Sequence, residues 1–321
     1  MASGQGRRLM LFCGQSNPEL GEEIAKHLGI NLGEVQLSHF SNGEIYVRYG
    51  ESVRGTDAFV VQTISQPVND NLMELLIMVD ALKRASASRI SAVVPHYGYA
   101  RQDKKTAARE PITAKLVADL LTVAGVNRVL TMDLHAAQIQ GFFDKPVDHL
   151  TAVPILASYF KDKNFDKLVV VSPDVGRVKV AKKYADRLGA ELAILHKIRP
   201  AHNVTEVSQI IGDVEGKACL MIDDMVDTGG TLVTGAETLV KRGAKEVYAC
   251  ATHPILSGPA IERLQKSPIK ELVVTNTLPV PIEKRIEKIK VVSIAPLFAQ
   301  AIRNVHEDLS VSELFEGDNQ I

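Results

Sequence analysis

The segment Cys219-Leu220-Met221-Ile222-Asp223-Asp224-Met225-Val226-Asp227-Thr228-Gly229-Gly230-Thr231 carries the densest chemistry in the chain. An apolar run ends in two adjacent carboxylates. A short loop with two glycines follows, and a helix is predicted to start at Thr231. A helix N-terminus presents unpaired backbone N–H groups and a partial positive charge. Glycines let the backbone curl closely around an anion. Asp227, Thr228, Gly229, Gly230 and Thr231 thus form a candidate cradle for a monophosphate. No Gly-Lys-Ser/Thr follows, so this is not a Walker A loop. Asp223 and Asp224 would repel a phosphate and need another partner. Sugar hydroxyls suit them, because each ionised carboxylate accepts two hydrogen bonds from a vicinal diol. The whole segment reads as a site for ribose 5-phosphate. The alternative is a plain helix cap and turn, which two adjacent acids at the end of a buried strand make a poor account.

The segment resembles the fingerprint shared by type I phosphoribosyltransferases and ribose-phosphate pyrophosphokinases. Further motifs favour the second family: Phe40-Ser41-Asn42-Gly43-Glu44, Asn69 to Leu76, Tyr99-Ala100-Arg101-Gln102-Asp103-Lys104, Asp133-Leu134-His135-Ala136 and Ser172-Pro173-Asp174. The resemblance runs from about Leu9 to Phe315 and is closest to the phosphate-regulated class. It implies two related phosphoribosyltransferase-like domains, MgATP and ribose 5-phosphate as substrates, Mg²⁺ as cofactor and a homohexamer. It also implies ADP and inorganic phosphate as regulators, through Gln140 and the Ser310-Val311-Ser312 segment.

The same resemblance assigns roles residue by residue. Phe40, Asn42, Gly43 and Glu44 match the adenine contacts; an aromatic ring stacks on a purine and polar groups meet its edge. Arg101, Gln102 and Asp103 match the ATP-phosphate region, where a planar guanidinium suits a polyphosphate. His135, Asp174 and Asp133 match the metal residues, with Asp144 and Asp148 ranked lower. Lys197 and Arg199 match the cations of a catalytic loop that closes over the transferred group. Arg199 is expected to touch ribose 5-phosphate too. One departure stands out. After Ser172-Pro173-Asp174 many members carry Gly-Gly and a downstream Arg, whereas this chain has Gly176-Arg177-Val178-Lys179-Val180.

These residues need a scaffold, and the sequence predicts an α/β one. Short apolar runs (Val60-Val61, Ile90 to Val94, Val129 to Met132, Leu168 to Val171, Cys219 to Ile222, Val247 to Ala251, Leu272 to Thr275) read as buried strands. Amphipathic patterns over Pro18 to Leu28, Leu72 to Arg84, Thr113 to Ala124, Val178 to Leu188 and Thr231 to Lys241 read as helices between them. Strands alternating with such helices make mainly parallel sheets flanked by helices. Ala118, Leu121, Gly125, Val129 and His135 recur in order and spacing as Ala236, Leu239, Gly243, Val247 and His253, which points to duplication. The expected domains are 1–150 and 151–303, with the tail 304–321 packing on the first.

Composition sets outer bounds. The chain has 321 residues, 45% hydrophobic and 23% charged, ordinary for a globular protein of two domains. A formal net charge of -1 gives no footprint for nucleic acid or anionic membrane. Cys13, Cys219 and Cys250 show neither paired nor metal-ligand spacing, so reduced thiols are expected. No apolar run approaches the roughly 20 residues that span a bilayer, and a cytoplasmic setting is the expectation. Two competing readings stay open: a phosphoribosyltransferase that consumes the activated sugar, and a non-catalytic regulatory relative. Retention of Lys197, Arg199 and Asp227 to Thr231 argues against the latter.

Overall fold

The computed structural model describes residues 6–198 and 207–315. The chain divides into two units. The first comprises the chain up to Leu150, Thr277–Pro279 and the segment from Ile294; the second comprises Thr151–Asn276 and Val280–Ser293.

In chain order the first unit holds β1 (Leu9–Cys13), α1 (Pro18–Leu28), β2 (Val35–His39), β3 (Ile45–Tyr49), β4 (Asp57–Val61), α2 (Val68–Arg84), β5 (Arg89–Val94), α3 (Thr113–Ala124), β6 (Arg128–Met132) and β7 (Val147–Leu150). Its main sheet runs β1-β4-β5-β6-β7 with every pairing parallel. β4 is buried at all five positions, as expected of a parallel strand covered on both faces. The second unit holds α4 (Val153–Lys161), β8 (Leu168–Ser172), α5 (Val178–Leu188), β9 (Glu191–Ile198), β10 (Val207–Ile211), β11 (Ala218–Val226), α6 (Gly230–Lys241), β12 (Glu246–Pro254), α7 (Ala260–Lys266), β13 (Ile269–Thr275) and β14 (Ile289–Val292). Its sheet runs β10-β9-β8-β11-β12-β13-β14, parallel except for the β10–β9 pair. The fold is therefore α/β, with helices flanking two mainly parallel sheets.

Local chemistry explains the helix ends. The Asn17 side chain accepts from Leu20 N at 3.4 Å, Pro18 opens α1, and Gly29 closes it in the left-handed conformation at φ 74°. The repeated residues occupy matching places: Leu121 and Leu239 are buried on α3 and α6, and Val129 and Val247 are buried on β6 and β12. The two histidines differ, since His135 is exposed in a loop while His253 is buried within β12.

The last α-helix among the described residues, α8 (Ala295–His306), spans the expected boundary at 303/304. That boundary would cut α8, which belongs as a whole to the first unit. Phe298 and Ile302 are fully buried, and Arg303 Nη2 donates to His27 O at 3.4 Å at the end of α1. Among the described residues no helix is long and apolar enough to cross a membrane.

Candidate functional site

The acid pair does not sit past the end of a strand, as the apolar run Cys219 to Ile222 predicted. β11 continues through both acids to Val226, because β12 pairs with it as far as Val226↔Pro254. On its other flank, pairing with β8 stops at Met221↔Val171. Asp223 and Asp224 therefore lie on a strand that is bonded on one side and has outrun its neighbour on the other. The Asp223 carboxylate accepts from Asp224 N at 2.8 Å. Burial, and then the charge of Asp224, push the Asp223 carboxyl well above its ordinary pKa, and Arg177 pulls the other way.

The cradle follows directly. Asp227 accepts from Ser257 Oγ, and its carbonyl accepts from Ser257 N at 3.0 Å. Arg263 Nη1 donates to Thr228 O at 3.1 Å. Gly229 is the N-cap of α6 at φ 72°, a left-handed conformation that favours glycine. Thr228 and Thr231 are exposed at the mouth of this turn. Uncapped N–H groups at the start of a helix of this length suit a phosphate. The sequence gives no signal for Ser257 or Arg263, which the loop after β12 and α7 bring in from elsewhere in the chain.

Asp174 lies beyond β8. Its carboxylate accepts from Arg177 N at 3.0 Å and caps the single turn Val175–Arg177. Arg177, flagged in the sequence as a departure, is placed with its guanidinium against the acid pair: Nη2 lies 2.5 Å from Asp224 Oδ2, and Nε lies 3.8 Å from Asp223 Oδ1. Lys197 belongs to β9 by its backbone, and its side chain falls outside the described set; Arg199 lies outside the described residues.

In the first unit, β2 and β3 pair into an antiparallel ribbon whose tip carries Phe40, Asn42, Gly43 and Glu44. The tip is closed by Phe40 N to Glu44 O at 2.8 Å and by Glu44 N to Asn42 Oδ1 at 3.2 Å. Phe40 meets the edge of Tyr46, with ring centroids 5.8 Å apart, and is 55% exposed. The loop after β5 carries Arg101 and Gln102, both exposed, and Thr113 Oγ1 donates to Gln102 Oε1 at 2.5 Å. Asp103 is turned inward instead, accepting from Gln138 Nε2 at 2.6 Å.

The loop after β6 carries Asp133, half-buried at φ 36°, and the exposed His135. A non-glycine residue in this region is uncommon, and such positions cluster at functional sites. Asp148 is engaged by Arg128 Nη1 at 2.8 Å. Among the described residues no three His, Cys, Asp or Glu side chains gather to hold a metal. A site of one or two carboxylates suits Mg²⁺, which takes its remaining ligands from substrate phosphates and water. Gln140 Nε2 lies 3.3 Å from His149 Nδ1, and His149 Nε2 accepts from Leu134 N at 2.9 Å, so the Gln138 to Phe143 run is tied to the same loop.

Residues 9–125 match the family model described as the N-terminal domain of ribose phosphate pyrophosphokinase, and residues 200–316 match the phosphoribosyl synthetase-associated domain. A ribose-phosphate pyrophosphokinase of Caldanaerobacter subterraneus is 62% identical over 308 residues, covering 96% of this chain and 98% of the relative. The Bacillus subtilis protein of the same name is 57% identical over 309 residues, with 96% and 98% covered. The crystal structure of phosphoribosylpyrophosphate synthetase from Mycobacterium smegmatis superposes with a TM-score of 0.90 at 51% identity, covering 94% of this chain and 100% of that one. On this extent of identity and fold, the chain belongs to the ribose-phosphate pyrophosphokinase family.

Proposed function

We propose that the chain transfers the β,γ-pyrophosphoryl group of MgATP to the C1 hydroxyl of ribose 5-phosphate, giving 5-phosphoribosyl 1-pyrophosphate and AMP. The observation that carries this reading is the continuous placement of the acid pair on β11 and the glycine turn at the start of α6. One end takes a diol and the other a monophosphate, which together describe a pentose 5-phosphate. Asp223 and Asp224 hold the sugar, and Asp227, Thr228, Gly229, Gly230 and Thr231 hold its phosphate. Phe40, Asn42, Gly43 and Glu44 receive the adenine. Arg101 and Gln102 meet the triphosphate, and Asp103 holds their loop through Gln138.

In the transfer, the C1 oxygen forms a bond to the β-phosphorus. The bond from that phosphorus to the oxygen bridging to the α-phosphorus breaks, and AMP leaves with the bridging oxygen. The hydroxyl proton passes to solvent, since no His or carboxylate stands out as a general base. Such reactions depend on positioning and on charge stabilisation. Asp133, His135 and Asp174 are the residues that would contact Mg²⁺, which would supply charge neutralisation at the triphosphate. Lys197 and Arg199 add positive charge at the transferred group. The product serves nucleotide, histidine and tryptophan biosynthesis in the cytoplasm. The working form is a homohexamer, activated by inorganic phosphate and inhibited by ADP. Mass spectrometry of products from ATP, Mg²⁺ and ribose 5-phosphate tests the reading: AMP and the pyrophosphorylated sugar are expected. ADP with a singly phosphorylated sugar product would refute it.

A further inference from the structure

The open flank of β11 is where the chain leaving β8 turns. Ser172 Oγ donates to Asp174 O at 2.7 Å, and the Asp174 carboxylate caps the following turn. These bonds deliver Arg177 to the flank, and its guanidinium reaches both acids. We infer that Arg177 is a positioning residue for the Asp223–Asp224 pair, and through that pair for the hydroxyls of ribose 5-phosphate. The inference rests on the reading of that pair as the sugar site.

The geometry divides the labour unevenly. The Asp224 side chain is 3% exposed and makes the close contact with Arg177, whereas Asp223 is 20% exposed and lies farther from it. Asp224 is thus the anchor of the guanidinium and Asp223 the more outward acceptor. Two neighbouring carboxylates in a partly buried place repel one another, and one of them tends to hold a proton. A protonated carboxyl has lost acceptor capacity for a diol. A guanidinium that spans both oxygens keeps both acids as acceptors and fixes their direction, which a flexible ammonium does less well. Lys179 is exposed, and Lys182 pairs along α5 with Asp186 at 2.5 Å. Neither supplies this fork.

A merely structural ion pair would affect folding and leave substrate discrimination alone, so the test must separate the two. Steady-state AMP formation is measured in the full chain while each substrate is varied in turn, for the wild type, Arg177→Met and Arg177→Lys, each with a melting curve. In Arg177→Met the KM for ribose 5-phosphate is expected to rise by about tenfold or more, with the KM for ATP within about twofold. Arg177→Lys should fall between this variant and the wild type, because it restores charge without the fork. If Arg177→Met fails to fold, Arg177→Lys alone carries the test, with a rise of at least about threefold expected for the sugar only. An unchanged KM for ribose 5-phosphate, or an equal rise for both substrates, overturns the inference. If the wild type forms no AMP from these substrates, the proposed function itself falls, a result distinct from an active wild type with indifferent variants.

Discussion

Nδ1 of His306, the last residue of α8, lies 3.0 Å from Oδ2 of Asp57, the first residue of β4. The same oxygen takes the Arg89 guanidinium, while Asp57 Oδ1 has no partner among the described residues. One fully buried carboxylate thus ties the closing helix to the start of the central strands. Asp57→Ala removes the shared anion and leaves two partly buried groups without it. Breaking a buried pair on one side costs about 3–5 kcal/mol, and chemical denaturation should show a loss of that size. The Michaelis constants should stay near wild type, because the contact lies at the N-terminal ends of the strands. Unchanged stability would show that α8 is held without the Asp57 contact.

Ser257 supports the cradle from outside the fingerprint. Its hydroxyl and its backbone N–H both bond to Asp227. Ser257→Ala keeps the second bond and loses the first, which weakens the hold on the carboxylate. A hydrogen bond to a charged group is worth about 1.5–3 kcal/mol. Calorimetry should therefore show ribose 5-phosphate affinity about tenfold weaker, with ATP affinity unaffected. Equal affinity in the variant would mean that Asp227 is positioned without the Ser257 hydroxyl.

Acidification should strike sugar use first. Burial and the charge of Asp224 raise the Asp223 carboxyl well above its ordinary value, 3.8. The sign for folding is that a raised acid contributes stability below its unfolded pKa and loses it as pH rises through the folded one. The ionised pair that the proposed sugar site requires at neutral pH is therefore held against its own preference for a proton. As pH falls, Asp223 should take up that proton earlier than a free aspartate would, and kcat/KM for ribose 5-phosphate should fall with it. A pH profile that stays level down to about 4 would remove Asp223 from the sugar contacts.

Lys197 should act on turnover more than on binding. A charge brought to the transferred group stabilises the transition state more than the bound substrates. Lys197→Ala should lower kcat by about 10²–10³, as loss of one such donor does, with both KM values changed by less than about tenfold. Thermal stability should hardly move. Near-normal AMP formation would leave the charge to Arg101, Arg199 and the metal.

How far the sequence discloses this molecule depends on the range of the interactions. α1, α3 and α5 are legible from end to end, because their limits are written locally in caps, turns and apolar periodicity. The ribbon β2–β3 is not, since its strands set partly buried residues against exposed ones and lack the continuous apolar run of β4. The length of β11 is also hidden. Adjacent aspartates oppose strand formation, and only pairing with β12 overrides that tendency. In the site, the acids and glycines stand out by type and spacing, whereas the roles of Lys197 and Arg199 rest on the family resemblance. Ser257 and Arg263 do not stand out, because their partners lie far off in sequence, and Arg177 shows as an unexplained charge until β8 and β11 stand side by side.

The exposed Phe40 has a calorimetric consequence. Its ring stands at the tip of a two-stranded ribbon, more than half in water. A purine laid on that ring would remove apolar surface from water on both partners, and such burial gives binding a negative heat-capacity change. Ribose 5-phosphate in the proposed site would meet carboxylates, hydroxyls and backbone N–H groups and would remove little apolar surface. The two substrates should therefore diverge on warming: the binding enthalpy of the nucleotide grows more exothermic, while that of the sugar phosphate stays nearly level.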